Sequence, residues 1–555
     1  MSGSRRGLHW LVALLSLLAI AAGVWQLQAA SSGLLVTRQW LGSMPVTVFR
    51  PAAPASQPAK ASPVLVVAHG FAGSQQLMQP VATTLARSGW VVITFDFPGH
   101  GRNSAPMRGG LVDTNLSQHT LLAAMDQVAV LARQLAAPNT GYAVLGHSMA
   151  SDIVVRHAQA HPEVFATVGL SLFAPSISAS TPANSPRNLL VVSGALEPAM
   201  MATEALRVVG RSAGQGAAAL GQTSGSFAQG TARRAVLAPG VEHISVLYSA
   251  TTLAETRAWL AAAAGRPLPV GGFTDTRGPA LGWLLLGVVG LAWPLSRLLP
   301  VLISPTLLAA QQPRAGGRSL WWRWLGPMPV PAPVLVAVLP ALLTPLLLWK
   351  LPTQLLPLLL GDYLLLHFAL YGLLTAAASL WLVRRAPRFT RVSRVSRVSS
   401  ASSASRLSPA GGAALLLAIT LATAYVLLAV GLPLDRYVFN LRPEPVRLPL
   451  IAALCVGTLP YFLADEAWTR DPAAPPAAYL VSKLCFLLSL VAAIALNPGR
   501  LFFLAIIVPA ILVLFVVYGL FSRWIFKRTG LPAVAALANA LAFAGFIGVT
   551  FPLVA

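Results

Sequence analysis

The chain has 555 residues, 56% of them hydrophobic and only 10% charged, with a mean hydropathy of +0.69. A soluble globular protein carries about 25% charged residues, so an ordinary soluble enzyme is excluded. The net charge of +23 could serve nucleic acid, an anionic membrane surface or membrane topology. The arginines cluster between apolar runs, so they read as topology signals and no nucleic-acid partner is expected. Cys455 and Cys485 both lie in apolar runs and offer neither a disulfide framework nor a metal spacing.

Arg5 and Arg6 precede an apolar run from Leu8 to about Ala30. Ala29-Ala30-Ser31 is weakly cleavage-like, but the run exceeds a signal h-region of about 7–15 residues. Residues 1–30 therefore read as an uncleaved transmembrane signal anchor. From 31 to 265 short β-branched runs alternate with helical stretches. The runs are Leu34–Thr37, Val46–Arg50, Val64–Ala68, Val91–Phe95, Tyr142–Leu145, Thr167–Leu172, Leu189–Ser193 and Ala235–Ala238. Such alternation implies a parallel sheet with crossover helices. Continuous apolar strands suit a sheet covered on both faces. Pro51–Pro63 reads as a loop and Gly210–Gly230 as a mobile insertion.

Residues 266–280 form a linker, and 281–555 form a membrane domain of about eight transmembrane helices. The spans fall near 281–299, 330–350, 354–383, 411–433, 448–464, 479–497, 500–520 and 531–553. The third is long and holds Asp362 and His367, so it is tilted or broken. With a cytoplasmic N-terminus, the inside loops hold Arg314, Arg318 and Arg323, then Arg384, Arg385, Arg388, Arg391, Arg394, Arg397 and Arg406, then Arg523, Lys527 and Arg528. This follows the positive-inside rule. It expects a bacterial-type inner (plasma) membrane with residues 31–265 on the non-cytoplasmic side. Asp435 and Arg436 fall in an outside loop. The Arg-Val-Ser repeat from Arg391 to Ser399 reads as a cytoplasmic linker, and Trp321, Trp322 and Trp324 as an aromatic belt. Asp465 and Glu466 read as an interfacial helix end, and Asp362 with His367 as a buried polar pair or an interfacial point.

The chemistry centres on Gly146-His147-Ser148-Met149-Ala150. An apolar strand precedes it and a helical stretch follows, the context of a nucleophile elbow. Small residues two before and two after the serine let strand and helix approach. Gly146 meets this, and Ala150 stands where a second glycine is usual.

With this motif the sequence resembles the α/β-hydrolase family, in its lipase-like and serine-aminopeptidase-like branch. Four ordered segments carry the resemblance. They are His69-Gly70-Phe71-Ala72-Gly73, Phe95-Asp96-Phe97-Pro98-Gly99-His100-Gly101-Arg102-Asn103-Ser104, the Ser148 elbow and Gly240-Val241-Glu242-His243. It implies an α/β-hydrolase fold with a mostly parallel eight-stranded sheet for residues 31–265; the apolar spans that follow add an all-α polytopic membrane domain, which resembles no recognised family. The resemblance implies Ser148 as nucleophile and His243 as base, with backbone N–H groups of Phe71 and Met149 as oxyanion donors. His69, Gly70, Gly146 and His147 would shape the site. In the family order the acid follows the strand Leu189–Ser193, which makes Glu197 the first candidate, ahead of Glu204 and Glu242. Glutamate is one methylene longer than the more usual aspartate, so the geometry must differ. Asp96 reads as structural and Asp152 as a helix-face residue. No metal or cofactor is expected.

The short loop between Leu172 and Leu189 leaves no room for a helical lid. An open site, or one covered by the membrane module or the 210–230 insertion, suits a lipid-like ester or thioester at the bilayer. The leading reading is a membrane-anchored serine hydrolase working through an acyl-enzyme, with acyl transfer to another acceptor also open. The others are a transporter or lipid-handling protein with an accessory hydrolase-like domain, and a non-catalytic binding domain.

Overall fold

The computed structural model describes residues 2–52, 62–110, 113–210, 219–268, 271–299, 332–385, 409–470 and 477–555. The Arg391–Ser399 repeat, Trp321, Trp322 and Trp324, and most of the arginine-rich inside loops lie outside the described residues. So do most of the Pro51–Pro63 loop and residues 211–218 of the insertion. The chain divides into two compact units. One comprises Ala21–Leu284, Pro433–Glu444 and Val549–Ala555; the other comprises Met1–Ile20, Leu285–Leu432 and Pro445–Gly548.

The first unit is built on a nine-stranded sheet. Its strands are β1 Leu34–Leu41, β2 Met44–Pro51, β3 Val64–Ala68, β4 Val91–Phe95, β5 Tyr142–His147, β6 Val164–Leu170, β7 Leu189–Gly194, β8 Thr223–Ser224 and β9 Arg233–Ala238. The order is β1-β2-β4-β3-β5-β6-β7-β9-β8. From β4 to β9 neighbouring strands run parallel, while β1, β2 and β8 pair antiparallel. The ninth strand corrects the expected eight. Thr223–Ser224 is two residues long, too short to show any alternation, and it lies in the insertion that reads as a loop.

After the N-terminal helix α1 Ser2–Ala30, the helices packed on the sheet are α2 Gln79–Arg87, α3 Thr114–Leu135, α4 Met149–Ala160, α5 Ala199–Gly210 and α6 Ala250–Ala263. Every residue of β3 is wholly buried, as a strand covered on both faces must be. On one face Leu65, Val67, Leu145 and Val168 pack with Met78, Val81, Leu253 and Trp259. On the other, Val191 and Ala235 pack with Val155, Ala205 and Val208. Leu65 and Val67 share a face because side chains alternate along a strand.

Two late segments complete this unit. Asp435 accepts a 2.7 Å ion pair from Arg102. The Asn440 side chain donates to the Gly101 carbonyl, and its backbone N–H donates to Ser74 Oγ. Gly99 and Leu553 pair through their backbones, and Met107 pairs with Val554.

The second unit is helical. Across the chain, eight helices among the described residues are long and apolar enough to cross a membrane. They are Gly7–Ala30, Gly278–Leu298, Gly361–Trp381, Gly412–Tyr437, Pro445–Thr469, Ala478–Leu496, Leu504–Thr529 and Pro532–Thr550, and Val334–Leu348 is a shorter apolar helix. The span near 354–383 starts only at Gly361. Asp362 accepts backbone N–H bonds from Leu355 and Tyr363, at 2.9 and 2.8 Å. It does not pair with His367, which lies 3.4 Å from the Tyr363 hydroxyl. Of the two readings, the direct Asp362–His367 pair is therefore corrected: both residues are buried, and Asp362 takes backbone N–H groups at the start of its helix.

Asp465 and Glu466 do lie at a helix end, in the last turns of Leu448–Thr469, and there they are 1% exposed and paired. Asp465 takes the Lys483 ammonium at 2.5 Å, and Glu466 takes Arg470 at 2.9 Å. Tyr461, Phe462, Tyr479 and Phe515 surround Lys483, adding cation–π attraction. Asp465→Asn leaves this ammonium buried without its counter-charge, at a cost of about 3–5 kcal/mol. The melting temperature of the full chain in detergent should fall, and Asp465→Leu combined with Lys483→Met should recover most of it.

Candidate active site

Ser148 lies between β5 and α4 with φ 52° and ψ −118°. A non-glycine residue at positive φ is strained and persists only where its surroundings fix it. The surroundings are close here. A Cβ added at Gly146 would stand 2.4 Å from the Ala150 carbonyl oxygen, so only glycine permits the approach. Ala150 itself is wholly buried, and its methyl group fits where the elbow more often has glycine. The Ser148 N–H donates to the Leu170 carbonyl at 2.9 Å. Its own carbonyl accepts from the Ser151 hydroxyl at 2.6 Å.

His243 follows β9, and its Nε2 is 2.8 Å from Ser148 Oγ. Its Nδ1 is 2.9 Å from Glu197 Oε2. The three residues are thus joined in one hydrogen-bonded chain. Glu197 stands in the turn after β7. There Ala195 N–H donates to the Ala238 carbonyl and Leu196 N–H to the Val241 carbonyl, at 2.8 and 3.0 Å. These bonds tie the turn bearing the acid to the loop bearing the histidine. Gly194 makes the approach feasible, since a Cβ there would lie 2.4 Å from the Val241 oxygen.

The extra methylene of Glu197 is accommodated by turning its second oxygen back. Oε1 accepts from the Gly194 N–H and the Ser171 hydroxyl, both at 2.7 Å. Burial pushes the Glu197 carboxyl up, but the hydrogen bonds from His243, Ser171 and Gly194 outweigh it and hold the group below its ordinary value.

The other carboxylates are engaged elsewhere. Glu204 takes the Ala174 N–H and the Arg207 guanidinium. Glu242 accepts from Ile244 and Ser245 in its own loop. Asp96 accepts backbone N–H groups of Gln75 and Arg102, at 2.7 and 3.0 Å. Asp152 pairs with Arg156 on its own helix.

His69 is wholly buried, and burial lowers its pKa. The Phe97 N–H donates to its Nε2 at 3.1 Å, so its Nδ1–H donates to the Gly70 carbonyl at 2.8 Å. Burial pushes His147 down to about 3, and the neighbouring His243 adds to the effect. Neutral at ordinary pH, His147 has its Nε2 2.9 Å from the His243 carbonyl and steadies that loop. Gly70 lies against both groups: a Cβ there would be 3.0 Å from His147 Nδ1 and from Ser148 Cβ. The turn bearing Phe71 is thereby held over the serine. Met149 is the first residue of α4, so its N–H has no acceptor within the helix.

Ser171 and Ser151 escaped the sequence reading. Each is a single hydroxyl in an unremarkable context. The available signal was position: Ser171 directly follows β6, beside the end of β5 in a parallel sheet, where sites in open α/β sheets gather. Between β6 and β7 no helix or strand occurs. Phe173 on that segment and Leu196 in the Glu197 turn are 53% and 67% exposed. Among the described residues, the one His/Asp grouping suited to a metal is Asp126, His157 and His161, away from Ser148.

Residues 59–215 match the family model described as serine aminopeptidase, S33. No curated protein matches the chain. A CIB-like hydrolase from Thermoplasma acidophilum aligns at 12% identity and a TM-score of 0.31, covering 41% of this chain and 99% of that one. A thioesterase domain from the curacin biosynthetic pathway aligns at 15% and 0.27, covering 40% and 99%. A Vigna radiata epoxide hydrolase mutant aligns at 16% and 0.20, covering 26% and 42%.

Because the folded-state pKa of Glu197 is lowered, its carboxylate stabilises the fold above the unfolded value of about 4.3. That contribution disappears as pH falls through the lowered value. The melting temperature of Glu197→Gln should therefore trail the native chain above about pH 5 and converge with it in more acidic buffer.

Proposed function

We propose that this chain, whose N-terminal part has the α/β-hydrolase fold, is a membrane-embedded serine hydrolase that cleaves a lipid-like ester or thioester through an acyl-enzyme. The observation that carries this reading is the unbroken chain Ser148 Oγ, His243, Glu197, with contacts of 2.8 and 2.9 Å. A serine hydroxyl is a weak nucleophile until a base takes its proton. Here Oγ attacks the substrate carbonyl while His243 Nε2 accepts its proton. Glu197 fixes the ring through Nδ1 and stabilises the imidazolium. The developing oxyanion is held by the N–H groups of Met149 and Phe71, each such donor worth about 3–4 kcal/mol. The tetrahedral intermediate expels the alcohol or thiol, which takes its proton from His243. Water then gives a proton to His243, attacks the acyl-enzyme and releases the acid, and Oγ regains its proton.

Two features support an apolar acyl chain. Phe173 and Leu196 are exposed on the segments carrying Ser171 and Glu197, and no lid helix crosses between β6 and β7.

Parity supports the topology. Pro433–Glu444 and Val549–Ala555 belong to the same unit as Ser148, so they share its side of the membrane. Between that unit's main segment and residue 433 lie Gly278–Leu298, Val334–Leu348, Gly361–Trp381 and most of Gly412–Tyr437. Four further spans separate 445 from 549. Counted among the described residues, with Val334–Leu348 taken as a crossing, both numbers are even. At 1.5 Å per residue its helix, Ala332–Leu348, reaches about 26 Å, near the bilayer core of about 30 Å. With the arginine-rich loops inside, the hydrolase unit lies on the non-cytoplasmic face of a bacterial-type inner membrane. The buried pairs of Asp465 and Glu466 favour a second reading, in which the helices also handle a lipid or ion.

Labelling by a fluorophosphonate reagent should modify the native chain and not Ser148→Ala, and ester turnover should drop more than about 10³-fold in that variant. Equal labelling of both would defeat the assignment. Alkaline phosphatase fused after Ala555 should be active in cells, whereas a fluorescent cytoplasmic reporter at the same point should report the opposite side if the parity is odd.

A further inference from the structure

We propose that Asp126, His157 and His161 form a binding site for a zinc-type divalent metal ion at the end of α4 remote from Ser148. Asp126 lies on α3. His157 is in the last turn of α4 and His161 directly follows it, so a spacing of four puts both rings on one face. Asp126 Oδ1 is 3.0 Å from His157 Nδ1 and 3.2 Å from His161 Nε2. The three donor atoms lie within 4.8 Å of one another. Ligands about 2.0–2.1 Å from a tetrahedral zinc stand about 3.3 Å apart, so they need move little to share an ion. Two imidazoles and a carboxylate suit zinc, whereas calcium demands six to eight oxygens.

What lies behind the rings carries the inference further. His157 Nε2 is 2.8 Å from the Tyr142 hydroxyl. His161 Nδ1 is 3.4 Å from Glu163 Oε1. Arg133 holds Glu163 at 3.1 Å, and its other nitrogen lies 3.5 Å from the same His161 Nδ1. Each ring thus aims one nitrogen at the common point and has the other engaged, the arrangement that orients metal-ligating histidines. Arg133 pairs with Glu163, and the Asp126 carboxylate faces the two rings. His157 is buried, while the side chains of Asp126 and His161 are 55% and 26% exposed. The ion would enter from solvent and keep a position for water.

The site lies at the start of β5 and Ser148 at its finish, about 20 Å away at 3.3 Å per residue. The ion would therefore fasten α3, α4 and the turn before β6, taking no part in the acyl chemistry.

The test uses the full chain in detergent, stripped with a chelator and titrated with Zn²⁺ or Co²⁺. The native chain should take up one tight equivalent, show the visible absorption of a four- or five-coordinate Co²⁺ site, and melt higher with zinc. Asp126→Ala and His161→Ala remove side chains that reach solvent; each should bind at least about 10-fold more weakly, and the melting temperature of neither should rise with zinc as the native chain's does. Asp126→Asn substitutes if Asp126→Ala unfolds. No uptake by the native chain, or uptake and a melting shift that persist in both variants, would overturn the proposal and leave a plain hydrogen-bonded network.

Discussion

The site depends on one constrained turn. At Ser148 the backbone adopts φ 52°, which an L-residue avoids unless its neighbours compel it. β5 enters the turn from the middle of the sheet and α4 leaves from its end, with Gly146 closed onto Ala150. The chain must reverse within one residue, and the side chain of that residue then stands clear of the strand. A serine here is presented to whatever the neighbouring strand ends supply. They supply His243 after β9 and Glu197 after β7.

The histidine and the acid are held by bonds that do not involve the serine. Leu196 and Ala195 lock the acid's turn to the segment after β9. His147, kept neutral by burial, is bonded to the carbonyl of His243 itself. Ser171 fixes the spare oxygen of the glutamate. On the proposed reading the arrangement is preorganised: little of the geometry would have to be assembled when a substrate arrives, which is where electrostatic catalysis gains most.

Much of this was legible in the sequence, for physical reasons. Val64–Ala68 and Val91–Phe95 announce themselves because buried parallel strands need apolar residues on both faces. Gly146 and Ser148 are legible because the turn tolerates few residue types. Glu197 could be reached by its place after a strand, yet the bond from Ser171 could not, since it joins segments 26 positions apart. The pairing of Asp465 was hidden for the same reason: its partner Lys483 sits on another helix, and a carboxylate near a span's end shows no partner when read alone. The membership of Pro433–Glu444 in the α/β unit rests on Arg102, Ser74 and Gly101, contacts that no local pattern encodes.

Rapid mixing of the full-length protein with a chromogenic short-chain ester, followed by acid quench and peptide mass analysis, addresses the central claim directly. The account requires a burst of one leaving group per chain and an acyl mass on the peptide containing Ser148. Steady turnover without a burst-phase adduct, or an adduct on any other residue, would contradict it.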